Sequence, residues 1–239
     1  MIGPIFRLTL RALLLQRRTM MLALVAGSPV LAALIFALAN NEPGNVLDFY
    51  SGIVQQLFVP TVAALIALVF GVSAFGDERE DGTILYLVAT PQSRFQLVIA
   101  KVLAAWVATL LLLVPSLVLT GLLALGGRAS LSLIGWPLLG VLLASLAYCA
   151  AASWLSLQTR RPIVIGVLYI LLWEGSIATF AVTAAKLSIS AYGRAFVAHA
   201  LPQAAKPVAG IIPSAIVLAV VVAVALWAAT RRLVTAELP

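Results

Sequence analysis

Six mostly apolar stretches alternate with short polar segments along the chain: 20–39, 53–75, 97–125, 133–157, 162–182 and 211–230. Each approaches or exceeds the roughly 20 residues that a helix needs to cross about 30 Å of hydrocarbon. Inside lipid the backbone must satisfy its own hydrogen bonds, and a helix does so within one segment. The short alternating strands of a membrane barrel are not visible in the pattern. The expected fold is therefore all-α: a polytopic membrane protein with six transmembrane helices. Pro29, Pro60 and Pro115 fall inside these runs, where neighbouring helices make the lost backbone bond tolerable. The first run follows a basic stretch and ends in Ala37-Leu38-Ala39, a small-residue pattern that resembles a secretory cleavage site. It is long enough to span, so it is expected to remain as the first helix.

Composition supports this reading. Of 239 residues, 63% are hydrophobic and only 10% charged, a surplus that lipid accommodates by letting apolar side chains face outward. The net charge of +7 sits at the ends of apolar runs, as at Arg17-Arg18, Arg160-Arg161 and Arg231-Arg232. A nucleic-acid binder would gather it on one water-facing surface, so nucleic acid is not an expected partner. The N-terminus, the segments after the second and fourth runs, and the C-terminus, counted with Lys101 at the start of the third run, hold 11 Lys and Arg; the other side holds Arg128, Lys186, Arg194 and Lys206. The positive-inside rule then puts both termini in the cytoplasm. Trp136, Trp154, Trp173 and Trp227 lie toward run ends or in mixed positions and read as interfacial anchors.

Few residues suggest chemistry. A single cysteine, Cys149, and a single histidine, His199, give no disulfide and no zinc-ligand set. A Ser–His intramembrane protease would need its histidine within the bundle, and His199 falls in the outer segment. An aspartyl protease would need two aspartates within the runs, which hold none. Glu174 is the one acidic residue well inside a run, roughly 18 Å along a helix from Pro162. A charge in lipid costs about 2.5–3.5 kcal/mol on the insertion scale, so it is expected to face the bundle or a cavity. It reads either as a pathway or gate residue or as a protonated or hydrogen-bonded structural carboxyl near the outer interface. An ion- or proton-coupled transporter or channel using Glu174 is the alternative function that this residue raises.

The strongest signal lies after the second run. Four of the eight acidic residues fall within five positions, Asp77, Glu78, Glu80 and Asp81, on the side where Lys and Arg are favoured. Gly82 and Thr83 follow, and Thr83 is suited to start a helix. A short apolar stretch through Ile84, Leu85, Leu87 and Val88 is closed by Thr90-Pro91. A one-to-two-turn helix with exposed apolar residues beside charges suits docking into a groove of another protein. Before the first run, residues 4–18 carry Arg7, Arg11 and Arg18 near one helical face, with Ile5, Phe6, Leu8, Leu13 and Leu15 elsewhere. That is an amphipathic interfacial helix.

The run Glu78-Arg79-Glu80-Asp81-Gly82-Thr83, with Leu85, Leu87, Thr90-Pro91, Ser93-Arg94 and Lys101, resembles the signature loop of type-2 ABC transporter permeases. In that family an acidic E-R-E-x-G-T segment leads into a coupling helix, and a P-x-S-R segment and a lysine open the third helix. The likeness is closest over 75–103 and topological elsewhere. Leu172-Trp173-Glu174-Gly175, with Ser188-Ile189-Ser190 and Tyr192, is also similar to features of these permeases. The resemblance implies an amphipathic connecting helix over 1–19 and a six-span permease domain over 20–239. A coupling loop at 76–96 and short outer helices within 183–210 complete it. It implies the membrane subunit of an ATP-driven exporter, multi-pass in a prokaryotic cytoplasmic membrane. The ATPase-coupling residues would be Glu78, Arg79, Glu80, Gly82, Thr83, Ile84, Leu85, Leu87, Val88, Pro91 and Arg94. The chain carries no G-x-x-x-x-G-K-[ST] phosphate loop. ATP and Mg would be held by a separate cytoplasmic ABC ATPase subunit, this chain binding no cofactor. The other expected partners are a second permease copy, most simply as a homodimer, and membrane lipid. The cargo is not specified by the sequence.

Overall fold

The computed structural model describes residues 2–39, 45–80, 93–177, 185–201 and 207–235. Among these, every regular element is helical. They are α1 (Ile2–Leu14), α2 (Arg17–Ala39), α3 (Val46–Gly52), a π-helical stretch (Ile53–Ala63) and α4 (Ala64–Glu80). There follow α5 (Arg94–Leu125), α6 (Leu131–Gln158), α7 (Pro162–Leu168), a second π-helical stretch (Tyr169–Ile177), α8 (Ile189–Ala200) and α9 (Ile211–Thr235). Among the described residues, five helices are long and apolar enough to cross a membrane: Arg17–Ala39, Val46–Gly76, Arg94–Arg128, Leu131–Gln158 and Ile211–Val234. These coincide with five of the six expected runs. The remaining run appears as a shorter apolar helix, Pro162–Gly175; residues 178–184 lie outside the described ones.

Burial sets the order of the bundle. The apolar core of Val46–Gly76 is 78% buried, against 22% for Arg17–Ala39 and 17% for Ile211–Val234. The α3–α4 rod is therefore the axis of the fold, and α2 and α9 are peripheral. Their exposed Met20, Leu24, Ile35, Ile216, Val220 and Val224 are side chains that lipid, not water, is suited to cover. Both π-helical stretches lie within apolar rods. Pro60 sits in the first, where its missing N–H is compatible with a widened turn.

In lipid, apolarity alone does not choose which helix face meets which; close backbone approach and hydrogen bonds do. A Cβ on Gly71 of α4 would stand 2.7 Å from Ala152 Cβ and 2.8 Å from the Cys149 carbonyl oxygen. Ser153 Oγ of α6 donates to the Gly71 carbonyl at 3.0 Å. Trp106 Nε1 of α5 donates to the Leu142 carbonyl at 3.1 Å, and Ser116 Oγ donates to the Ala26 carbonyl of α2. A Cβ on Gly166 of α7 would collide with Leu68. Gly71→Ala is expected to push α4 off α6 and destabilise the bundle by about 1–3 kcal/mol, the usual cost of overpacking. Thermal unfolding in detergent measures it, and an unchanged midpoint would contradict so tight a contact.

The N-terminal segment breaks at Leu15 and Gln16, between α1 and α2. Thr19 Oγ1 donates to the Leu13 carbonyl at 2.7 Å, satisfying an orphan acceptor at the end of α1. Leu13 is buried, with Ile5 and Leu10 packed beside the core, while Leu8 and Leu15 are exposed. The apolar residues of this helix thus divide between the bundle and its surroundings.

Candidate functional site

Two polar constellations stand out in the apolar bundle. The first joins the helices on either side of the acidic loop. α4 runs through Glu80, so Glu78, Arg79 and Glu80 occupy its last turn. Gly82, Thr83, Ile84, Leu85, Leu87, Val88 and Pro91 lie outside the described residues. Arg94 opens α5, following Ser93 in extended conformation. Two turns further along α5, Lys101 is 1% exposed. Its Nζ donates to the Ala74 carbonyl of α4 at 2.7 Å and lies 4.8 Å from the centre of the Phe75 ring. A cation so deeply buried must be held by charge-assisted hydrogen bonding and ring contact. The result is a tie between the ends of α4 and α5, at the base of the loop that joins them. The lysine was visible in the sequence as part of a motif; its acceptor, 27 residues away, was not.

The second constellation surrounds Glu174. This carboxylate is 2% exposed and sits in the π-helical stretch after α7. Its Oε1 accepts from Ile189 N at 3.0 Å, Ser190 N at 3.3 Å, Ser188 Oγ at 3.1 Å and the Tyr169 hydroxyl at 3.3 Å. Its Oε2 accepts from the Tyr148 hydroxyl of α6. Ser188 precedes α8 but its side chain does not cap that helix. Glu174 takes over the task, satisfying the orphan N–H groups and placing negative charge at the positive end of the helix. The carboxylate thereby clasps three elements: the π-helical stretch, α6 and the start of α8.

The α8 helix fits its seat closely. A Cβ on Gly140 of α6 would stand 2.5 Å from the Gly193 carbonyl oxygen, and one on Gly193 would stand 3.0 Å from Ala144 Cβ. At the far end of α8, the His199 ring packs edge-on against Trp136 at 4.6 Å, an apolar contact. Of the aromatic residues read as anchors, Trp227 is 55% exposed and carries Arg231 over its ring at 4.1 Å. That is the arrangement of an amphipathic pair at a membrane boundary.

The neighbours of Glu174 decide what it can do. Every contact just described is a donor aimed at the carboxylate. A cation site needs oxygen or nitrogen lone pairs converging on one point, and among the described residues no group of His, Cys, Asp or Glu is placed to hold a metal. The geometry is that of a clasp in which one carboxylate joins three elements. Ser188, Ile189 and Ser190 stood beside Glu174 only as features similar to the family; that they contact the carboxylate was not legible in the sequence. Tyr148 and Tyr169 were missed; a tyrosine in an apolar run, with a hydroxyl that needs a partner when buried, is the signal that would have found them.

No curated protein matches the chain to significance. The family model described as ABC-2 family transporter protein matches residues 13–185, an interval that contains α2 through α7, the acidic loop, Lys101 and Glu174. The chain belongs to the ABC-2 transporter family, whose members are membrane transport subunits and not themselves ATPases.

Proposed function

We propose that this chain is the permease subunit of an ATP-driven exporter, driven by a separate cytoplasmic ABC ATPase through the loop at 76–96. The observation that carries the reading is the Lys101 tie between α4 and α5. Two helices locked at the base of their connecting loop move together when that loop is pushed. α4 meshes with α6 at Gly71, α6 supplies Tyr148 to Glu174, and Glu174 holds the start of α8. A displacement at the loop therefore has a packed route to the opposite end of the bundle, where Glu174 acts as a gate latch.

In this reading the chain spans a prokaryotic cytoplasmic membrane six times, the segment from Pro162 forming the fifth span, with both termini in the cytoplasm. α1 lies along the cytoplasmic interface as a connecting helix, residues 83–89 form the coupling helix, and α8 belongs to the outer segment. Two copies of the chain form the pathway, each on one ATPase subunit, which holds ATP and Mg. The saturated hydrogen bonding of Glu174 favours the latch over ion coupling.

Purification of the tagged chain from its native membrane, with identification of co-purifying subunits, tests the proposal. An ATP-hydrolysing subunit is expected. Replacing Ile84, Leu85, Leu87 and Val88 together by serine removes the buried anchors of an interface, and capture should fall by about tenfold or more. An intact complex after that replacement would overturn the coupling assignment.

A further inference from the structure

A cavity of about 380 Å³ opens where the start of α2, α4, the end of α6 and the start of α7 meet. Its lining includes Arg18, Ser73, Thr159, Arg160, Arg161 and Val164. Three arginines thus line one hollow, and its described lining contains no carboxylate. Arg160 and Arg161 are both exposed. Ser73 is the second, independent sign. It is only 5% exposed, lines this cavity, and its hydroxyl has no hydrogen-bond partner. A buried hydroxyl left unsatisfied is costly, and an acceptor oxygen entering the cavity would relieve it. Planar guanidinium forks match the oxygens of a phosphate in the same way.

The surroundings say where that phosphate comes from. The arginines cap two apolar helices, so they sit at the boundary between hydrocarbon and water. Immediately beyond them, Ile163 and Val164 line the same cavity and are 37% and 54% exposed. A free phosphate ion has no use for an apolar lip, whereas a phospholipid lays its acyl chain there. We propose that this cavity binds the phosphate headgroup of an anionic glycerophospholipid, seated against Gly76 at the entrance to the acidic loop. A lipid in that seat would hold together α2, α4 and α7 beside the coupling loop, making the transporter responsive to anionic lipid. Assignment to the cytoplasmic leaflet rests on the proposed orientation; the binding itself does not.

The competing occupant is the chain's own acidic run. The α4 backbone carries Asp77 one turn beyond Ser73 and Glu80 one turn beyond Gly76. The test uses the full chain in mild detergent, with native mass spectrometry of added phosphatidylglycerol or phosphatidylcholine. It needs neither ATP, an ATPase nor a known sidedness, so its outcome is independent of the exporter reading. Phosphatidylglycerol should bind in preference. Arg160→Gln with Arg161→Gln should weaken it by about thirtyfold, and Ser73→Ala by about threefold. Arg128→Gln, at a different helix end, should change it by less than about twofold. Where the double variant is not monodisperse, Ser73→Ala and Arg161→Gln alone carry the test. Equal retention by wild type and cavity variants overturns the proposal. So does displacement by millimolar inorganic phosphate, which would make the site one for the free ion. Binding that appears only after Asp77→Asn with Glu80→Gln overturns it too, since the acidic run would then be the occupant.

Discussion

Glu174→Ala should be the most damaging single substitution in the apolar bundle, lowering stability by about 3–5 kcal/mol. The change removes one carboxylate and strands the Tyr148 hydroxyl and the N–H groups of Ile189 and Ser190, while the Tyr169 hydroxyl keeps the Leu187 carbonyl and Ser188 Oγ keeps Ser190 Oγ. The site is buried, so water replaces the lost acceptor poorly, and each stranded donor carries a penalty of about 1–3 kcal/mol before relaxation. α8 loses both its cap and its tether to α6. Glu174→Gln should be milder, at about 1–2 kcal/mol, because the amide oxygen still accepts from the α8 amides and its NH2 can donate to a tyrosine hydroxyl. Thermal unfolding in detergent gives the ranking. Hydrogen exchange at Ile189 and Ser190 locates the damage, and those amides should exchange far faster in the alanine variant. Retained protection with a wild-type melting point would show that the clasp contributes nothing.

Lys101→Met should separate stability from coupling. Methionine has similar length and fills the same space, so packing is kept. The charge-assisted bond to the Ala74 carbonyl and the contact with the Phe75 ring are lost. Burying an ammonium carries a desolvation cost that methionine avoids. The net change in stability is therefore expected to stay within about 2 kcal/mol. Function should not be spared. If the tie makes α4 and α5 move as one, losing an interaction of about 1.5–3 kcal/mol lets the loop move without the helices. Transport per ATP hydrolysed should then fall by about tenfold to a hundredfold. In the proposed complex ATP turnover should persist, since the catalytic site would be on the ATPase subunit. A Lys101→Met complex that transports at the wild-type ratio would rule out the tie as a transmission element. A variant that merely fails to fold is recognised by its melting point and set apart by that measure.

The sequence by itself determined the solvent of this protein and the location of its most informative loop. Both are local properties. Whether a stretch such as 97–125 enters hydrocarbon depends on its own length and apolarity, and the corresponding α5 helix spans Arg94–Leu125. The segment from Glu78 to Lys101 was recognisable because its charges, glycine and proline are consecutive. The run at 162–182 was less well specified. Its described part, through Ile177, is an apolar helix passing into a π-helical stretch, and that stretch is where Glu174 reaches its donors. Its carboxylate was legible as an anomaly, an acid in an apolar run, but its role was not. That role depends on Tyr148, 26 positions earlier, and on the start of α8, 15 positions later. The Lys101 acceptor and the meeting of Ser73 with Arg160 and Arg161 are long-range in the same way. Only the tertiary structure decided these, because in lipid one apolar face is as acceptable as another. What breaks the tie is the fit of glycine-lined faces such as Gly71 on Ala152 and Gly140 on Gly193, and the pairing of buried polar groups such as Lys101, Ser153 and Glu174 with partners distant in the chain.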